Sequence, residues 1–269
     1  MIPSQWDRRI QRAENLEKTY PFAAEVLRFY RCLAGLQKAI FSRFEEGGAA
    51  AAKKSSGEFR DPLNLSLLLP LFPKFLSDLE AIATKPIAQS AQELCSQRSE
   101  QWQSLLQATW GATGFQPESD QPKGLMAWLF LQPYAEYVAG RSGVAISKGN
   151  QALCPRCSRK PQVGVLRQEG DGAKRSLICS LCSTEWAYGR IICPACAEEN
   201  VEKLAIYSTV QFDHVRVEGC DSCRHYIKTV DLTKNGLAIP VVDELATIPL
   251  NLWAQEHGYV KLQANLLGI

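Results

Sequence analysis

The chain has 269 residues, 46% hydrophobic and 22% charged, with 30 basic and 28 acidic side chains for a formal charge of +2. That is enough apolar material for two or three packed units. The balanced charge lacks the basic face from which nucleic-acid-binding proteins draw most of their affinity. Membrane insertion is not expected, because the most apolar stretches, 63–72 and 124–131, are too short to span a bilayer. The start Met1-Ile-Pro-Ser-Gln-Trp-Asp-Arg-Arg9 has no apolar signal core, so the expected compartment is the cytoplasm.

Residues 1–149 read as helices. From Pro21 to Phe44 the residues Phe22, Val26, Phe29, Leu33, Leu36, Ile40 and Phe44 recur at three and four, one face of a long amphipathic helix. The small and polar run 45–57 reads as a loop. Asp61 then caps a helix with Pro62 at its first position, where the missing N–H costs nothing. Residues 65–82 follow, interrupted near Pro70 and Pro73. One further helix is expected over 87–110, ended by Gly111 and Gly114, and another over 123–138, stopping before Gly140. The aromatic side chains of these helices read as core, and Cys32 and Cys95 as ordinary buried thiols.

The helical period ends near Ser147-Lys-Gly-Asn150, and residues 151–232 carry short strands and turns. Eight of the ten cysteines fall here as four Cys-x-x-Cys pairs: Cys154/Cys157, Cys179/Cys182, Cys193/Cys196 and Cys220/Cys223. A tetrahedral metal needs four soft ligands from two tight turns, and this spacing supplies them. Pairing neighbours leaves 21 residues inside one unit, 23 inside the other and 10 between them, which favours adjacent pairing over a crossed brace. An internal repeat agrees. Cys154-Pro-Arg-Cys and Cys193-Pro-Ala-Cys are matched 39 residues apart, each followed by an apolar run, 163–166 and 204–207. Arg175 and Arg216 each precede a third cysteine by four, and Trp186 and Ile227 each follow a fourth by four, so one module is used twice.

Disulfides have no route here without an oxidising compartment. Thioredoxin-like chemistry at Cys193-Pro-Ala-Cys196 would need a βαβ setting that the turns and strands do not offer. Arg156, Arg159, Lys160 and Arg175 read as solvated surface. His214, His225 and His257 are scattered, with His225 read as a strand-end or surface residue although it lies two after Cys223. With no phosphate loop, His-Glu-x-x-His or nucleophile elbow, no enzyme is expected. The tail should form one helix from Asp243 to His257, with Leu245, Ile248, Leu252 and Trp253 on one side and Gly258 at its end.

A run of motifs resembles the bacterial formate dehydrogenase accessory proteins, the FdhE family. The motifs are Cys154-Pro-Arg-Cys-Ser with Pro161; Arg175-Ser-Leu-Ile-Cys-Ser-Leu-Cys182; Glu185-Trp186 with Arg190 before Ile191-Ile-Cys-Pro-Ala-Cys196; and Glu218-Gly-Cys-Asp-Ser-Cys223 with Tyr226-Ile-Lys228. The tail adds Asp243-Glu-Leu-Ala-Thr247, Leu252-Trp-Ala254 and Gly258-Tyr259. The resemblance is strong over 150–269 and rests on length and pattern before that.

It implies an α+β multidomain chain: an all-α helical domain over 1–149, tandem rubredoxin-like or zinc-ribbon modules of four cysteines each over 150–189 and 190–232, and a C-terminal helical segment over 233–269. It also implies a chaperone-like cytoplasmic factor, needed for active respiratory formate dehydrogenase, that engages the catalytic subunit before export. Self-association is left open. Two metal ions are expected on Cys154, Cys157, Cys179, Cys182, Cys193, Cys196, Cys220 and Cys223, iron by resemblance and zinc as the alternative, since four thiolates suit both. Rubredoxin turns often place glycine after the second cysteine, whereas this chain has Ser158, Ser183, Ala197 and Arg224. That departure weakens the case for redox tuning. An iron tetrathiolate redox protein and a nucleic-acid-binding zinc ribbon are the competing expectations.

Overall fold

Ser4 accepts from the Asp7 amide while Asp7 reaches back to the Ser4 amide, a capping box that starts α1 (Gln5–Thr19). The computed structural model describes residues 4–46, 63–112, 122–142, 146, 149–265 and 267. The predicted loop after residue 46, the Asp61-Pro62 helix start and the Gly114 stop lie outside them. Helix α1 leaves little periodic trace because its buried stripe is sparse and includes a charged residue: Trp6, Arg9, Ala13 and Leu16.

Helix α2 (Ala24–Glu46) follows a 3-10 turn at Pro21–Ala23. Its buried stripe is Leu27, Tyr30, Leu33, Ala34, Gln37, Ile40 and Phe44, so Phe29 and Leu36 sit at its margin and Phe22 lies outside at 50% exposure. The stripe turns because α2 packs against α1, α4 and α7. Pro70 lies between α3 (Leu65–Leu68) and α4 (Phe72–Ile82) and Pro73 stands in the first turn of α4, so the interruption falls where expected. The single helix expected over 87–110 is instead two, α5 (Lys85–Cys95) and α6 (Ser99–Gly111). The Trp102 indole donates to the Leu94 carbonyl at the end of α5 (2.7 Å), tethering α6 to that end without a glycine or proline to mark the break.

Helix α7 (Pro122–Arg141) runs through Gly140, contrary to expectation. Arg141 lies over the Tyr137 ring 3.8 Å from its centroid, and the helix is buried nearly all round from Met126 to Tyr137. Pro133 within it cannot donate to the Leu129 carbonyl; the fully buried Gln37 of α2 donates there instead (2.8 Å). No helix among the described residues is long and apolar enough to cross a membrane.

The sheet contains β1 (Pro161–Glu169), β2 (Gly172–Cys179), β3 (Glu185–Ala187), β4 (Leu204–Ser208), β5 (Val215–Cys220), β6 (His225–Asp231) and β7 (Val260–Lys261). Its order is β3-β2-β1-β6-β5-β4, with β7 also on β6. Each repeat is an antiparallel three-stranded unit, and the two merge through a short parallel pairing of β1 with β6 at Gly164–Thr229, Val165–Val230 and Leu166–Asp231. A Cβ on Gly164 would lie 2.3 Å from the Thr229 hydroxyl, so the seam needs a glycine. The tail, expected as one helix, is α8 (Pro240–Ala246) and α9 (Ile248–Glu256), broken at Thr247 with Pro249 just inside α9. Gly258, at φ +74°, ends it. Helix α8 packs on α1 and α2 from one side and on β1 and β6 from the other, joining helices to sheet.

Candidate metal centres

The repeats bring neighbouring pairs together. The sulfurs of Cys154, Cys157, Cys179 and Cys182 all lie within 4.8 Å of one another, as do those of Cys193, Cys196, Cys220 and Cys223. The approaches are 3.6 Å (Cys154–Cys182) and 3.2 Å (Cys157–Cys179) in the first group, and 3.8 Å (Cys193–Cys223) and 3.7 Å (Cys196–Cys220) in the second. A tetrahedron with metal–sulfur bonds of ~2.3 Å has edges of ~3.8 Å. A disulfide, at ~2.05 Å, is far shorter. Each group could therefore hold one metal ion.

Backbone geometry builds the turns. Ser158, Ser183, Ala197 and Arg224 have φ of 57°, 52°, 61° and 58°, and among the described residues they are the non-glycine positions in the left-handed region. The glycine of related turns is absent, yet its conformation is kept at all four. The Ser158, Ala197 and Arg224 amides donate to the Cys154, Cys193 and Cys220 carbonyls at 2.8–3.0 Å. Two more amides point at sulfur, Leu181 to Cys179 (3.5 Å) and Ala195 to Cys193 (3.3 Å). Burial pushes the Cys179, Cys182 and Cys193 thiols up, whereas hydrogen bonds from Cys154 and Cys179 pull Cys157 down, and four crowded sulfurs can all carry charge only with a cation between them. A left-handed residue with a Cβ is strained by ~1 kcal/mol or more. Ala197→Gly should therefore raise stability by about 1 kcal/mol, read from the denaturation midpoint of the metal-loaded protein. An unchanged or lower midpoint would mean that the turn carries no such strain.

The two groups differ in what surrounds them. In the first, Cys154, Cys179 and Cys182 are buried and Cys157 is partly covered. Its turns are fastened to the helices. Ser183 donates to Glu136 of α7 (2.7 Å), a carboxylate that also pairs with Arg9 (2.8 Å). Arg159 donates to the Trp110 carbonyl, and its guanidinium lies 5.4 and 5.6 Å from the Trp110 and Trp128 ring centroids. In the second group Cys193 and Cys220 are buried, Cys223 is partly covered and Cys196 is exposed. Beside it lies a pocket of about 80 Å³, walled by Ile192, Pro194, Leu204, Tyr226 and Leu262.

The basic residues expected at the surface are structural in two cases, because Arg159 and Arg175 are 3% and 2% exposed. Arg175 of β2 pairs with Glu218 of β5 (2.6 Å) and donates to the Gly189 and Ile192 carbonyls, tying the first repeat to the second. Arg216, its counterpart, pairs with the same carboxylate (2.6 Å). Neither Cys32, which is exposed, nor Cys95, which is partly covered, is the buried thiol expected. The ring of His225 faces its own turn, with Nδ1 2.9 Å from the Cys223 carbonyl.

Sequence reasoning missed a second polar centre, around α8. Asp243 accepts from Arg12 of α1 (2.5 and 3.0 Å) and lies 2.9 Å from His214 Nε2, joining helices, tail and sheet. Glu244 takes Lys228 at 2.9 Å, Lys261 at 2.5 Å and the Asn265 amide at 2.9 Å. The available signal was Asp243-Glu244 at predicted helix positions among apolar neighbours.

Two family descriptions match, "FdhE, central domain" over residues 153–190 and "FdhE, C-terminal domain" over 191–267. A Shewanella oneidensis protein named Protein FdhE homolog is 28% identical over 97% of this chain and 87% of its own length. An Aquifex aeolicus protein of the same name is 34% identical over 52% of this chain, and there the chain spans half of the relative's length. The crystal structure of the FdhE protein from Pseudomonas aeruginosa is similar at a TM-score of 0.72 and 25% identity, covering 98% of this chain and 96% of that one.

Proposed function

This chain belongs to the FdhE family, and on that premise we propose that it is a non-enzymatic accessory factor for the maturation of a respiratory formate dehydrogenase. It binds the catalytic subunit in the cytoplasm before export. Its working units are residues 1–149, 150–189, 190–232 and 233–269. Cys154, Cys157, Cys179 and Cys182 hold one metal ion, and Cys193, Cys196, Cys220 and Cys223 a second. Iron is the preferred ion and zinc the alternative, four thiolates being compatible with both.

The observation that carries this reading is the closure of both cysteine groups within one FdhE-like chain. Four protein sulfurs leave a tetrahedral ion no open position for water or substrate, which suits a centre that shapes a binding surface rather than one that hydrolyses. The test is a pull-down with the tagged chain from cells producing the formate dehydrogenase. Recovery of the catalytic subunit is expected, and its absence from the eluate under conditions where it is abundant in the lysate counts against the proposal.

A redox role is the second reading, favoured by the exposure of Cys196 at the second group. It requires the visible absorption of a ferric tetrathiolate in freshly purified protein, bleached by a reductant. A colourless zinc protein excludes electron transfer.

A further inference from the structure

We infer that the two metal centres are unequal, the first a sealed structural joint and the second an exchangeable, reactive centre that opens through Cys196. The inference rests on the ligand assignment proposed above and goes beyond it, because the cysteine pattern makes the two centres look identical.

The donor sets are alike. Both groups place four sulfurs within 4.8 Å, and both are built on left-handed turns. What differs is cover. At the first centre, Ser183 is bonded to Glu136 of α7, and Arg159 is pinned to Trp110 between two indole rings. Arg156 adds a bond to the Ser142 carbonyl (2.9 Å) at the end of α7. Its most open sulfur belongs to Cys157, which is only partly covered, and the other three ligands are buried, so an incoming ligand finds no exposed sulfur there.

At the second centre the turn 193–197 stands at the surface, with Ala195, Cys196 and Ala197 all exposed. Its side-chain anchors hold its two ends, at Cys193 and Glu198, and leave Cys196 between them unheld. The turn 220–224 is held by Arg224, which donates to the His257 carbonyl (2.5 Å) and pairs with Asp221 (2.8 Å), while Ser222 donates to Glu198 (2.6 Å). Cys193 is held through its carbonyl by the Tyr188 hydroxyl (3.2 Å). Among the described residues no side chain binds Cys196 other than its fellow cysteines. An incoming donor can therefore displace the Cys196 sulfur first: a bond to the new ligand forms, the Cys196 bond breaks, and three sulfurs still hold the ion.

The full chain, loaded with zinc and mixed with an excess of a chromophoric chelator, tests the inference. Release in two phases of one equivalent each is expected, the faster by about tenfold or more, as local opening predicts for an uncovered turn. Cys196→Ser should abolish the fast equivalent and leave the slow one. Because that variant could also unfold its turn, alkylation of the unaltered protein provides a second readout. Mass-spectrometric mapping should find Cys196 modified first, and Cys193, Cys220 and Cys223 before any of Cys154, Cys157, Cys179 and Cys182. Two equivalents released at one rate, or earlier modification of the first group, would overturn the inference while leaving the ligand assignment standing. A chain that takes up no zinc would overturn the assignment itself, and this inference with it.

Discussion

Cys179→Ser is expected to unfold the sheet and to release its hold on the helices, the largest effect of any single ligand change. Structural zinc bound by four ligands contributes about 10–16 kcal/mol of apparent free energy in small fingers, nearly all of it folding energy. Removing one sulfur forfeits much of that. Cys179 is 1% exposed at the end of β2, so its replacement also strands a hydroxyl in a buried site. The loss should be seen as emission changes at Trp186, which is buried in the first repeat, and at Trp110 and Trp128, which flank Arg159. The far-UV helical signal of α1–α7 should persist, because those helices pack chiefly on one another. Cys196→Ser, at an exposed turn, should cost markedly less. Chelation of the unaltered protein should reproduce the Cys179→Ser state. If Cys179→Ser and the metal-loaded parent unfold at the same guanidinium concentration, the first centre holds nothing together.

The fold class and the two cysteine groups were legible because each leaves a periodic trace. Helices repeat at three and four residues, and a two-turn thiolate site repeats its own spacing. Trp186 and Ile227, matched across the repeat, are both buried. Breaks and joints were less legible. The α5–α6 break depends on an indole that finds a carbonyl eight residues away, and the α8–α9 break on the backbone of Thr247; neither leaves a glycine at the break. The left-handed turns at Ser158, Ser183, Ala197 and Arg224 look like departures when only residue identity is considered. Their hydrogen bonds and the converging sulfurs impose the conformation instead. Burial of Arg159 and Arg175 was illegible for a related reason, since each is covered by residues far off in sequence: Trp110 and Trp128 for one, Glu218 for the other.

Glu244→Gln is the second large effect, expected to cost about 3–5 kcal/mol because it leaves buried cations without their counter-charge. Lys228 and Glu244 are both fully buried and 2.9 Å apart. Lys228 also donates to the Glu244 and Thr247 carbonyls, so it cannot leave with its charge unless α8 lifts off β6. Burial raises the Glu244 carboxyl, but Lys228 and Lys261 together outweigh it and hold the pKa at about 2. The folded pKa lies below the ordinary 4.5, so the unfolded chain binds more protons in that interval. The stabilisation is therefore complete above about pH 4.5 and lost as pH falls toward 2. Burial pulls Lys228 down to about 8 against the partial opposition of Glu244, so between there and 10.5 the unfolded chain again holds the extra proton. Rising pH in that window relieves the cost of burying the ammonium. The parent should thus lose stability on the acid side more steeply than Glu244→Gln does. Replacing the two fully buried partners with apolar residues, Lys228→Met with Glu244→Leu, should recover part of the loss, because only Lys261, nearer the surface, is then left without its counter-charge. If the double variant proves less stable than Glu244→Gln alone, the bonds to Thr247 and Asn265, rather than the buried charges, hold α8 on the sheet.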